Sequence, residues 1–228
     1  MTAIVQVPAG PYAQERAQMI ANQIAARGVQ SPHVLQAMAA VPRHRFVPAA
    51  LRDEAYADKP LPIGHGQTIS QPYIVARMVE AAGVGPGSRV LEVGVGSGYL
   101  SAVLLALGAE VWGIEIHAPL LQRARHTFAA LGLAGPRLHL HCGDGYNGWP
   151  EAAPFDAIIL SAAPKTLPPA LSAQLHDGGR LVAPVGGLEQ HLIRRIRRGT
   201  DWQQEELGAV RFVPMTGEAE RPHCRVEA

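Results

Sequence analysis

The sequence predicts an α/β fold organised as a doubly wound, mostly parallel sheet, with a helical N-terminal extension and an antiparallel strand pair toward the C-terminus. Three observations predict it. From Ser88 onward, short β-branched runs alternate with helical stretches, the rhythm of βαβ units. The strands, above all "FDAIILSAA", are apolar nearly end to end, as a parallel sheet covered on both faces requires. A glycine-rich turn, "VGVGSG", joins the first of these strands to its helix, at the position where such sheets hold ligands.

The elements follow in order. In "AQERAQMIANQIAARG" the apolar Met19, Ile20 and Ile24 recur at helical spacing, and Gly28 stands where a helix end takes positive φ. For "SPHVLQAMAAVP", Ser31 is an N-cap, Pro32 a first helical residue, Val34, Leu35 and Met38 a buried stripe, and Pro42 the stop. Between Pro48 and Pro72 proline, glycine and polar residues predominate, which predicts an ordered but irregular connection; nothing in "GHGQTISQP" reads as helix or buried strand. "YIVARMVEAAG" returns to helix. "RVLEVG", "EVWGIEI", "RLHLHCG", "FDAIILSAA" and "RLVAPVG" read as strands. "YLSAVLLALG", "APLLQRARHTFAALG" and "PPALSAQLHDGG" read as the helices between them. "HLIRRIRRGTDWQQEELGAVRFVP" predicts two antiparallel strands around Gly199 and Thr200, at or near a sheet edge.

Composition narrows the function. A chain of 228 residues, 47% of them hydrophobic, can bury one substantial core. Its 20 Lys and Arg nearly cancel 19 Asp and Glu, so no general positive field holds a nucleic acid. Cys142 and Cys224 are far apart and outside any C-x-x-C, which suits a reducing compartment and a cytoplasmic location. "MTAIVQVPAGPY" lacks the features of a signal peptide, and "LSAVLLALGA" is about half the length of a membrane span, so no membrane partner is expected.

"VLEVGVGSGYL" carries the chemistry. Gly94, Gly96 and Gly98 let the backbone approach a ligand beside the free N–H groups of a helix start. The dinucleotide fingerprint would need glycine or alanine at Tyr99, and tyrosine weighs against it. Glu92 followed by G-x-G-x-G is similar to the form found in class I methyltransferases that use S-adenosylmethionine. Glu115 ends the second strand, where a carboxylate can accept both ribose hydroxyls. Asp144 ends the third, where one can meet the adenine amino group. Methyl transfer to a carboxylate asks for alignment, worth up to about 7 to 11 kcal/mol, and a neutral donor orients the acceptor at smaller cost than a fixed charge. Thr68 and Ser70, in a segment closed by Pro72, fit that requirement.

"VPRHRFVP", "AYADKPLPIGHGQTISQPYIVARM", "VLEVGVGSGYLSAVLLA", "GDGYNGWPEAAPFDAIILSAAP", "GGRLVAPVG" and "VRFVP" resemble the protein-L-isoaspartate O-methyltransferase family, in order, from about Ala13 to Thr216. The resemblance implies a Rossmann-like methyltransferase fold in a single domain: residues 1–80 a helical elaboration with the substrate and cofactor loop, 81–190 the cofactor-binding core, 191–228 the C-terminal strands and tail. It implies methyl transfer from S-adenosylmethionine, leaving S-adenosylhomocysteine, to the α-carboxyl of L-isoaspartyl residues in damaged proteins and peptides. The ester then closes to a succinimide, whose hydrolysis returns some aspartate. The family's active-site serine maps to Ser70. Its cofactor contacts map to Thr68, Ile69, Gly94, Val95, Gly96, Gly98, Glu115, Ile116, Gly143, Asp144 and Thr216. Many bacterial members carry threonine where Val95 and Ser161 stand here. A monomer is expected.

His65 is a candidate substrate contact, although methylating a carboxylate needs no general base. His139, His141 and Cys142 offer no recognisable metal spacing, so no metal is expected. Arg194, Arg195, Arg197 and Arg198 read as a solvated hairpin face with Leu192, Ile193 and Ile196 packed inward. Two other functions are compatible with the motifs: a relative that methylates an ordinary aspartate of one dedicated peptide to form an aspartimide, and a non-catalytic S-adenosylmethionine-binding protein. The intact Ser70 segment disfavours the second.

Overall fold

The computed structural model describes residues 6–220; Cys224 lies outside them. The chain opens with α1 (Ala13–Gln18), which continues through a π-helical turn and a 3-10 turn to Gly28 at φ 93°. In α2 (Pro32–Ala40) the Ser31 Oγ accepts a hydrogen bond from Val34 N and Pro32 takes the first position, so the cap chemistry read from the sequence is the one used.

The stretch before Pro72 is more regular than the sequence suggests. β1 (Leu61–Gly64) and β2 (Gln67–Ile69) form a two-stranded antiparallel sheet of their own. Its turn takes positive φ at Gly64, His65 and Gly66, and Leu61, Ile63 and Ile69 point inward, each about 3% exposed. Prolines and glycines obscure that alternation in the text.

After α3 (Pro72–Ala82) come β3 (Arg89–Val93), α4 (Tyr99–Ala106), β4 (Glu110–Glu115), α5 (Ala118–Ala130), β5 (Leu138–Cys142), β6 (Phe155–Leu160), α6 (Pro169–Ala173), β7 (Leu175–Gly186), β8 (Gln190–Arg198) and β9 (Asp201–Val210). The seven-stranded sheet has the order β5-β4-β3-β6-β7-β8-β9. Neighbours from β5 to β7 run parallel, and β8 and β9 add antiparallel at the far edge. The helix expected from Pro168 to Gly179 ends at Ala173, and β7 starts at Leu175. Gly178 at φ 83° and Gly179 do not sustain a helix, and the Gln174 side chain is held by Asn147 O and Trp149 N.

Strand residues divide by parity into two cores. Val90, Val111, Ala157, Ile159 and Val182 face the larger cluster, which α2 to α5 cover. Leu91, Trp112, Ile114, Ile158 and Leu181 face the smaller one, closed by α6, short turns and Met215. The N-terminal layer is fixed to α4 by Arg43, fully buried with its guanidinium 4.8 Å from the Tyr99 ring and its Nε donating to Ala55 O. Burial pulls its pKa down to about 10, still far above neutrality.

Candidate active site

β3 and β6 are neighbours, but the chain visits β4 and β5 on the other side of β3 between them. Such a reversal opens a crevice beyond the carboxyl ends of the strands. A cavity, partly open to solvent, lies there. The ends of β3, β4 and β5 supply Gly94, Val95, Gly96, Glu115, Ile116, Gly143 and Asp144 to its lining; β2 and the residue after it supply Thr68, Ile69 and Ser70; Thr216 comes from the C-terminal segment.

Glu115 holds this floor together. Only 4% exposed, its carboxylate accepts from Gly96 N at 2.7 Å and from His117 N at 2.8 Å, which ties the glycine turn to the end of β4. Gly96, at φ 55°, is packed against Ile63 of β1, and an added Cβ would come within 3.4 Å of Ile63 Cδ1. Asp144 accepts from Tyr146 N at 2.9 Å and Glu218 N at 2.7 Å. Each carboxylate oxygen keeps a second lone pair, so a further donor can still be accepted.

Gly98 is placed differently from its two companions. It caps α4 at φ 88°, and an added Cβ would lie 2.5 Å from Phe128 Cζ, so its bareness serves helix packing; it is not among the cavity-lining residues. His65 sits at the exposed hairpin tip, its ring 5.8 Å from that of His117, and lines neither this cavity nor the groove beside it.

That groove is the second feature of the site. It runs between α3 and the β8–β9 edge, with Tyr73, Ile74, Leu192, Leu207 and Phe212 in its walls. Thr68 and Ser70 line both spaces. β2 presents Thr68, and Pro72, as the first residue of α3, ends the freedom of the segment that carries Ser70.

Three contributions escaped the sequence reading. Glu92, recognised there only as part of a motif, lines the cavity; it is fully buried, Ser101 Oγ donates to its Oε2, and its Oε1 has no partner. Burial pushes its pKa up to about 8, against the pull of the Ser101 hydroxyl. His117 also faces the cavity, and Gln67 Nε2 lies 3.3 Å from its Nε2, linking β2 to the end of β4. Val213 to Met215 close the cavity from the C-terminal side through Ala163 N to Val213 O and Met215 N to Ala163 O. The glycine-bracketed strand end signalled Glu92; no local pattern signals the other two. Among the described residues no cluster of His, Cys, Asp or Glu could hold a metal ion.

A seven-stranded sheet with an antiparallel edge pair and a glycine-and-carboxylate crevice at its reversal point is the architecture of an S-adenosylmethionine-dependent methyltransferase. A structure from Plasmodium falciparum, described as a protein-L-isoaspartate O-methyltransferase in complex with S-adenosyl-L-homocysteine, superposes with a TM-score of 0.77 at 25% identity, covering 87% of this chain and 97% of that one. Another solved protein-L-isoaspartate O-methyltransferase gives 0.79 at 28% identity, over 89% of this chain and 66% of that one. The family model for protein-L-isoaspartate(D-aspartate) O-methyltransferase matches residues 14–220. The chain belongs to that family. Curated relatives named protein-L-isoaspartate O-methyltransferase include one from Methylorubrum extorquens (strain PA1), 55% identical over 91% of each chain, and one from Synechococcus sp. (strain JA-2-3B'a(2-13)), 51% identical over 90% of this chain and 86% of the other.

Proposed function

We propose that the protein transfers a methyl group from S-adenosylmethionine to the α-carboxylate of L-isoaspartyl residues in damaged proteins and peptides, beginning their repair through a succinimide. The observation that carries this reading is the position of Thr68 and Ser70, which line both the methyl-donor cavity and the groove open to a peptide.

The residues present fit the cofactor. An unpartnered buried oxygen on Glu92 suits a polar group of the cofactor, Glu115 at the end of β4 suits a ribose, and Ile116, 40% exposed at the rim, is an apolar surface for a base to cover. Gly94, Val95, Gly96, Gly143, Asp144, Ile69 and Thr216 would complete the enclosure. When bound, S-adenosylmethionine supplies a sulfonium methyl, an electrophile that needs no acid catalyst.

The protein's own task is alignment and exclusion of water. Ser70 Oγ would donate to one oxygen of the acceptor carboxylate and leave the other free to attack, and Thr68 would steady the same group. A neutral hydroxyl does this without holding the carboxylate so tightly that the charge lost in the transition state is missed. The walls of the two spaces strip water from the acceptor. His65, if it contacts substrate, does so from the rim, and Gly98 acts through the packing of α4.

We further propose that the protein acts as a cytoplasmic monomer in a single domain. One core cluster spans Met19 to Leu192, and the exposed large hydrophobic residues among those described are Ile116 and Leu188. No helix among the described residues is long and apolar enough to cross a membrane.

The test is incubation with labelled S-adenosylmethionine and paired peptides that differ only in an aspartyl or isoaspartyl linkage. Base-labile methyl ester on the isoaspartyl peptide is expected. Ester on the aspartyl peptide alone, or on neither, overturns the reading. Ser70→Ala is expected to lower kcat by about 10-fold or more, in line with losing one hydrogen bond to a charged group, while donor affinity stays within about twofold; equal turnover removes Ser70 from the reaction.

A further inference from the structure

The groove that meets the donor cavity at Ser70 is electrostatically one-sided. Arg27, Arg77 and Arg211 line it, and among the described residues no carboxylate does. Arg27 is occupied on its outer side, 3.0 Å from Asp58 Oδ2, with its guanidinium 3.6 Å from the Tyr73 ring centroid, so it builds the wall. Arg77, one-third exposed, stands 3.6 Å from Glu80 Oε2, but Glu80 Oε1 is already taken by Gln30 N and Ser31 N. Arg211, exposed just after β9, has no ion pair or side-chain hydrogen bond among the described residues. Between these charges the surface is apolar, through Ile74, Leu207 and Phe212.

We propose that Arg77 and Arg211 are specificity-determining residues that favour isoaspartyl peptides with a carboxylate side chain close to the damaged residue; this rests on the function proposed above. The spacing follows from the helix. Arg77 lies five residues beyond Pro72, the first residue of α3 and two after Ser70. That is about 7 to 8 Å at about 1.5 Å per residue, a span an extended peptide covers in about two to three residues at about 3.3 Å each. An acidic side chain at that remove meets cations on both walls, whereas a lysine there meets like charge.

The experiment measures kcat/KM for three isoaspartyl peptides carrying Glu, Gln or Lys at the second and third positions, first on the N-terminal and then on the C-terminal side of the isoaspartyl residue. On at least one side the Glu peptide is expected to exceed the Lys peptide by about threefold or more at low salt, the scale of one or two exposed charge pairs. The ratio should shrink toward one near 1 M salt, where the screening length is about 3 Å. In Arg211→Glu and Arg77→Glu the Glu-to-Lys ratio should fall to one or invert; because it is taken within each variant, lost folding does not imitate it. Equal efficiency on both sides, preference for Lys, or a ratio unmoved by both substitutions overturns the proposal alone. Methyl ester on none of the peptides overturns the underlying function and this proposal with it.

Discussion

Two carboxylates beside one glycine turn are set to different tasks by their surroundings. Glu115 accepts hydrogen bonds from two backbone N–H groups and so holds them in place. Replacing it with alanine removes a charged hydrogen-bonding group, about 1.5 to 3 kcal/mol, and calorimetry should show donor affinity falling about ten- to a hundredfold; unchanged affinity contradicts the role. Glu92, raised from 4.5 to about 8 chiefly by burial, holds a proton at neutral pH that the unfolded chain releases. Its influence on stability therefore runs opposite to that of a paired carboxylate. The folded state is favoured below pH 4.5, loses ground as pH rises toward 8, and levels off above. Glu92→Gln, which fixes the neutral form, should make unfolding free energy measured in denaturant flatter between pH 5 and 8.5 than in the parent; identical slopes would exclude a shifted Glu92. At this scale the sequence was informative where a residue's setting depends on its immediate neighbours: Ser31 caps its helix as read, and Ser70 and Glu115 line the cavity to which the sequence assigned them. It was uninformative for the Gln67–His117 contact, which joins positions fifty residues apart.

The β1–β2 hairpin and the start of α4 show how elements aim those residues. The hairpin rests Ile63 against the glycine turn and delivers Thr68 and Ser70 without a long loop. Its strandedness was hidden because Pro62 and the three consecutive positive-φ residues carry turn chemistry that outweighs the weak alternation of Leu61, Ile63 and Ile69. At α4, Gly98 combines φ 88° with a 2.5 Å approach to Phe128. Gly98→Ala should cost at least about 1 to 3 kcal/mol from backbone conformation alone, read as a lower urea midpoint with the m-value kept; an unmoved midpoint would mean that Phe128 and α5 yield freely.

Across the whole molecule, the parallel part of the sheet was legible because its buried strands are short apolar runs bounded by turns, and the edge pair because Gly199 and Thr200 mark a turn between two extended stretches. The limit of the last parallel-sheet helix was not, since Leu175 suits either a helix or a strand, and only its pairing with Phe155 decides it. The closing of the cavity by Val213 to Met215 was equally hidden: it depends on Ala163, far behind in the chain, through a single parallel bridge at Pro214. That bridge also sets an order of events during biosynthesis. The five parallel strands leave the ribosome before the edge pair and the segment that shuts the cavity, so a nascent chain can present most of its scaffold before the cavity is closed. Competence to modify other polypeptides arrives only once that segment has followed the sheet out.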